Sequence, residues 1–76
     1  MPSVGVIEVA TGAVNGINRL FRVSASYAPG SVQVWLNGLL QKRDYDDGWA
    51  ELGSNVIQLK VAPIAGDTVQ VFYRPV

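Results

Sequence analysis

The stretch that most constrains this chain is Pro29 to Gln41, in which Val32, Val34 and Leu36 alternate with Ser31, Gln33 and Trp35 before the dipeptide Asn37-Gly38. Alternation with period two is the signature of a half-buried strand. Asn-Gly readily supplies the two positive φ angles of a type I′ turn, and with apolar residues on both sides it is the strongest short-range hairpin signal. Leu39 to Gln41 is therefore predicted to return antiparallel to Val34 to Leu36. At the front, Pro29-Gly30 predicts a type II turn, since Pro presets φ and Gly tolerates the positive φ that follows.

The flanking segments repeat this language. Val4 to Ala10 is β-branched and apolar on both faces through Val4, Val6, Ile7 and Val9, so it reads as a strand or an extended amino-terminal arm, sandwiched between layers or buried against a neighbouring subunit. Thr11 to Asn18 is a loop or irregular corner, with positive φ available at Gly12 and at Asn15-Gly16. Arg19 to Tyr27 alternates, placing Phe21, Val23, Ala25 and Tyr27 on one face, with Phe21 as a core anchor. Lys42 to Asn55 is the polar stretch and the longest predicted loop, with a short strand near Trp49 to Leu52. Val56 to Val61 is a strand with Ile57, Leu59 and Val61 on one face. Ala62 to Asp67 turns around Gly66 and Asp67. Thr68 to Arg74 closes the fold with Val69, Val71 and Tyr73 inward, while Gln70, Phe72 and Arg74 face outward. Five or six strands and no helical pattern predict an all-β fold, a small antiparallel sandwich or barrel. Residues 1–10 form the amino-terminal strand or arm, and 11–76 a single β-sandwich domain.

Composition narrows the chemistry. A chain of 76 residues buries only roughly 60% of its unfolded surface, which leaves little surplus stability. It has no Cys and no His, so disulfide staples, thiolate nucleophiles, imidazole bases and the usual zinc ligand sets are excluded. Partner subunits are the remaining staple. Six Lys plus Arg balance six Asp plus Glu, so no net field gathers nucleic acid or an anionic membrane. No apolar run approaches the roughly 20 residues of a membrane span, and the amino terminus lacks signal-peptide regions. The expectation is a soluble protein made in the cytoplasm, without a cofactor.

A resemblance covers most of the chain. The ordered set Gly12-x-x-Asn15-Gly16-x-Asn18-x-x-Phe21, Tyr27-x-Pro29-Gly30-Ser31-Val32-x-Val34-x-Leu36-Asn37-Gly38, Asp44-Tyr45, Ala62-Pro63-x-x-Gly66-Asp67 and Val71-x-Tyr73 resembles a β module that recurs in tailed-bacteriophage virion proteins, notably tail fibres. The resemblance implies a β fold and a place on a phage particle, with other virion proteins and copies of itself as partners, and no catalytic activity. In long fibre proteins the module sits among other segments, whereas here it occupies the whole sequence. The expected role is accordingly a tail, neck or fibre-associated adaptor, with capsid decoration as the alternative.

Each candidate site has a structural alternative beside it. Asp44, Asp46, Asp47 and Glu51 cluster as calcium ligands do, but an EF-hand loop begun at Asp44 has Gly48 at its fifth position, where the motif needs an acidic or amide side chain, and Asn55 at its twelfth, where it needs Glu. The alternative is a solvated loop with Asx-turns, and no metal site is assigned. Glycosidase chemistry needs two carboxyl groups about 5 to 9.5 Å apart in a cleft, for which so small a sandwich has little room. Arg19, Arg22 and Arg74 with Trp35 and Phe72 suggest a nucleic-acid surface, which the zero net charge opposes. Trp35 and Phe72 lie opposite their strands' aliphatic rows and are enriched residue types at interface cores. With Val4, Val6, Ile7 and Val9 they form the candidate subunit interface, unless a second layer of the same chain covers them. Tyr45 and Trp49 beside carboxylates suit stacking on sugar rings, which makes a host glycan a candidate ligand, although such aromatics also plug sandwich ends.

Overall fold

A computed structural model describes residues 5–76. They form seven strands: β1 (Val6–Val9), β2 (Leu20–Arg22), β3 (Gln33–Leu36), β4 (Leu39–Leu40), β5 (Trp49–Glu51), β6 (Val56–Leu59) and β7 (Val69–Tyr73), with no helix among the described residues. A four-stranded sheet has the order β1-β7-β3-β4 and a three-stranded sheet the order β2-β6-β5, with every neighbouring pair antiparallel. The protein is a small all-β fold. It has seven strands rather than the five or six expected, each lying within a stretch that the sequence marks as extended.

The alternation in β3 and β7 becomes the core. Val34, Val69, Val71 and Tyr73 from the larger sheet meet Phe21, Trp49, Ile57 and Leu59 from the smaller, with Val23, Tyr27 and Val32 completing the layer. Fully burying one such aliphatic or aromatic side chain contributes about 1.5–3 kcal/mol. The sheets are tied at their corners. Thr11 exchanges backbone hydrogen bonds with Arg22 at 2.8 and 2.9 Å, carrying the chain from β1 onto the edge of β2. On the other side, Trp49 N–H donates to the Lys42 carbonyl and Asp44 N–H to the Trp49 carbonyl, which joins the end of β4 to the edge of β5. Thus β1 is one strand of the larger sheet, and Ala10 after it is buried in the common core.

Turn geometry follows side-chain chemistry. Asn37 and Gly38 have φ of 52° and 84°, the pair of positive angles of a type I′ turn. In the Ala28–Ser31 turn the Ser31 N–H donates to the Ala28 carbonyl at 3.0 Å and Gly30 has φ of 83°, as a type II turn requires after Pro29. Replacing Gly38 with Val is expected to cost about 1–2 kcal/mol, because a β-branched residue resists positive φ. Space does not contribute, since no atom lies within 4 Å of the added Cβ. Denaturant melts of the two proteins check this, and equal midpoints would contradict the strain argument.

Three local expectations are corrected. The alternation from Arg19 does not run to Tyr27: β2 ends at Arg22 and Ala25 is exposed, because the Ser24 N–H leaves the ladder to reach the Glu8 carboxylate at 2.6 Å. Val61 lies beyond the end of β6 and is exposed rather than inward. Positive φ occurs at Gly16 and Gly66 but not at Gly12 or Asn15. Gly12 instead admits the Leu20 carbonyl and the Phe21 ring against its Cα, and Asn15 shapes the corner by accepting the N–H groups of Ile17 and Asn18 on its side-chain oxygen, both at 2.9 Å.

Candidate interaction surface

Residues paired across an antiparallel ladder share a face, so the registers define what the larger sheet shows on the side away from the core. One row across it is Ile7, Phe72 and Gln33; the next is Val9, Gln70, Trp35 and Leu40. None of these side chains carries a charge. Ile7, Val9 and Leu40 are 64%, 61% and 60% exposed, and Phe72 and Trp35 are half-buried among them. Phe72 lies across Gly5, where a Cβ would overlap its ring, so an aromatic side chain covers the backbone of a glycine beside the edge strand. The outer side of the smaller sheet is different, since it places Arg22 beside Val56 and Gln58 between Leu20 and Ala50.

This face brings together Ile7, Val9, Trp35 and Phe72 from the sequence reading, while Val4 lies outside the described residues. Val6 is corrected. It pairs with Tyr73 on the core side of the sheet, because β1 alternates in one register with β7. Strand β1 does not form a second layer over Trp35 and Phe72 either; it extends the same sheet sideways. The sequence reading missed Leu40 and Gly5. Leu40 was available from the turn, since a two-residue loop at Asn37-Gly38 sets Leu36 opposite Leu39 and hence Trp35 opposite Leu40.

Trp49 is also corrected. It is 2% exposed, points into the core from β5, and donates its indole N–H to the Gln41 carbonyl at 3.3 Å. Tyr45 remains exposed, with the Lys42 ammonium 5.1 Å from its ring centroid. The two aromatics form no common platform for a sugar ring. Trp49 pairs with Leu59 across the β5–β6 ladder and so shares its core-facing side, while Gly48 beside it admits the Lys42 carbonyl so closely that a side chain there would collide with it. The carboxylates nearby are likewise employed locally. Glu51 accepts the Gly30 N–H at 2.9 Å and pairs with Arg43 at 3.3 Å, and Arg43 also lies 3.5 Å from Asp44. No group of three or more metal-ligating side chains converges among the described residues.

Two other carboxylates organise the ends of the sheets. Asp67 accepts the Ile64 N–H and the Asn37 amide, both at 2.9 Å, while the Asn37 oxygen accepts the Thr68 N–H at 2.8 Å, locking the hairpin turn to the Gly66-Asp67 turn. The Asn37 amide and the Ile64 N–H hold the Asp67 carboxyl below its ordinary value. At Glu8 partial burial raises the value, but the Ser24 N–H and hydroxyl with the Tyr73 hydroxyl outweigh it and leave a net lowering. Burial, with the Glu51 charge second, pushes the Tyr27 hydroxyl up, and it donates to the Val56 carbonyl at 2.6 Å. Lowered carboxyls add stability above their unfolded values that is lost as pH falls through the folded ones; a raised phenol adds stability below its unfolded value that is lost as pH rises. With no His side chain to titrate between these limits, the melting temperature is expected to be flat across neutral pH. It falls below the ordinary carboxyl values of 4.5 and 3.8 and again above the tyrosine value of 10.0. A thermal melt at each pH checks the profile.

Comparison of the chain with protein-family models, with curated proteins and with solved structures gives no match.

Proposed function

We propose that this protein is a non-catalytic structural component of a tailed-bacteriophage particle, a small tail, neck or fibre-associated adaptor that assembles with copies of itself and with other virion proteins. The observation that carries the assembly half of this reading is the uncharged, largely apolar outer face of the four-stranded sheet. Exposed apolar residues scattered singly are ordinary, but a contiguous set is a mark of a binding surface. Here Ile7, Val9, Trp35, Leu40 and Phe72 fall on adjacent rows of one sheet. The absence of Cys and His from the sequence removes the thiolate nucleophile and the commonest general base, which suits a role without catalysis. The particle half rests on the ordered turn pattern from Gly12 to Tyr73, whose Pro29-Gly30, Asn37-Gly38 and Gly66-Asp67 turns shape the sandwich.

Sedimentation of particles from a producing culture tests the reading. The protein is expected in purified particles at a copy number matching a symmetry axis of the tail or neck. A copy number following the capsid lattice would move it to the capsid surface, and absence from purified particles would overturn the assignment.

A further inference from the structure

We infer that the free edge of β1 pairs antiparallel with β1 of a second copy of this chain, joining two four-stranded sheets into one across a two-fold axis at Ile7. The backbone geometry comes first. Ala10 N–H donates to the Val69 carbonyl, and the register pairs Glu8 with Val71 and Val6 with Tyr73. The even-numbered residues of this strand therefore point their N–H and C=O groups at β7, and the odd-numbered ones point them away. Thr11 obeys the rule by exchanging both of its bonds with Arg22 on the far side. By the same alternation Ile7 and Val9 direct theirs to the open edge, and no described residue bonds to them.

Natural edge strands are usually blunted by Lys, Pro, a bulge or an inward charge. Strand β1, Val-Ile-Glu-Val, has no Lys, Pro or break in register. Its one charge, Glu8, is inward but already engaged with Ser24 and Tyr73, so it does not guard the edge. The edges of β2 and β5 differ, for Thr11 and the Lys42–Asp44 segment bond to them. This edge remains a template for an incoming strand.

Register selects a second copy as the occupant. Centred on Ile7, a two-fold pairing matches Gly5 with Val9 of the copy, Val6 with Glu8 and Ile7 with Ile7, so all five residues take part. Centred on Glu8 it would oppose two carboxylates at the closest spacing of the ladder, which is unfavourable. Centred on Val9 it would need Thr11, already bonded to Arg22; centred on Val6 it would engage only Gly5 to Ile7 among the described residues. The Ile7 register also sets Val9 of each chain beside Gly5 of the other, over which Phe72 lies, and merges two uncharged outer faces. Like charges, the usual obstacle to a face meeting its own image, are missing from the outward positions of its strands.

The inference shares its partner, a second copy, with the assembly reading and is tested apart from it. Light scattering across a dilution series is expected to show twice the 8.2 kDa chain mass, falling to the single mass on dilution. Ile7→Pro should remain folded, since the N–H it removes faces the open edge, where proline is tolerated, and should be monomeric throughout. Ile7→Lys, which keeps the backbone intact, should also be monomeric. In a mixed isotope-labelled sample, a contact between the Val6 and Glu8 α-protons of different chains is expected, because these form the close non-hydrogen-bonded pair. A wild-type monomer at every concentration, a dimer that survives Ile7→Lys, or a dimer without the Val6–Glu8 contact would overturn the inference. A monomer that still enters particles overturns this pairing alone; a dimer excluded from particles overturns the assembly reading alone.

Discussion

Trp49→Ala is expected to lose about 3–5 kcal/mol of stability, the range for deleting a buried tryptophan side chain. For a chain of 76 residues the whole folding free energy is roughly 4–11 kcal/mol at typical values per residue, so this one substitution removes a large part of it. The side chain lies in the core opposite Leu59 in the β5–β6 register, and its indole N–H has the Gln41 carbonyl as acceptor. Truncation therefore opens a cavity and strips that carbonyl of its partner. Denaturant melts should place the variant at the margin of folding. Tyr45→Ala on the neighbouring exposed loop should stay within about 0.5 kcal/mol of the parent, as ordinary surface substitutions do. Were Trp49 a sugar-stacking residue on a loop, the two variants would melt alike.

Where local chemistry decides the structure, the sequence was readable. Asn37-Gly38 and Pro29-Gly30 adopt their φ angles because few other residues tolerate them, and β3 and β7 alternate because one face of each meets a core. Reading failed where a distant group intervened. Nothing in Ser24 or Ala25 announces that a carboxylate sixteen residues upstream will draw the Ser24 N–H out of its ladder. Trp49 sits among Asp46, Asp47 and Glu51, a polar neighbourhood that reads as solvent-exposed loop, and only its pairing with Leu59 across the β5–β6 ladder reveals that it faces the core. The outer face was half-legible for the same reason. Trp35 and Phe72 follow from alternation within single strands, whereas bringing them beside Ile7, Val9 and Leu40 requires the strand order β1-β7-β3-β4, which places the first strand of the chain against the last.

The double substitution Trp35→Ser with Phe72→Ser is expected to abolish incorporation into particles while leaving the domain folded. Both side chains lie on the side of the larger sheet away from the core, half-buried only by their neighbours on that face, so their loss opens no internal cavity. Interface energy, by contrast, concentrates in a few large aromatic anchors, each worth about 2 kcal/mol or more when truncated. Removing the two aromatic residues of this surface should therefore weaken association by about 4 kcal/mol, close to three orders of magnitude at about 1.4 kcal/mol per factor of ten. The direct measurement is to supply wild-type and doubly substituted protein together during particle assembly and to quantify both in purified particles, after melts have shown that each is folded. The account predicts particles containing wild-type protein almost exclusively; folded variant incorporated in proportion to its supply would contradict it.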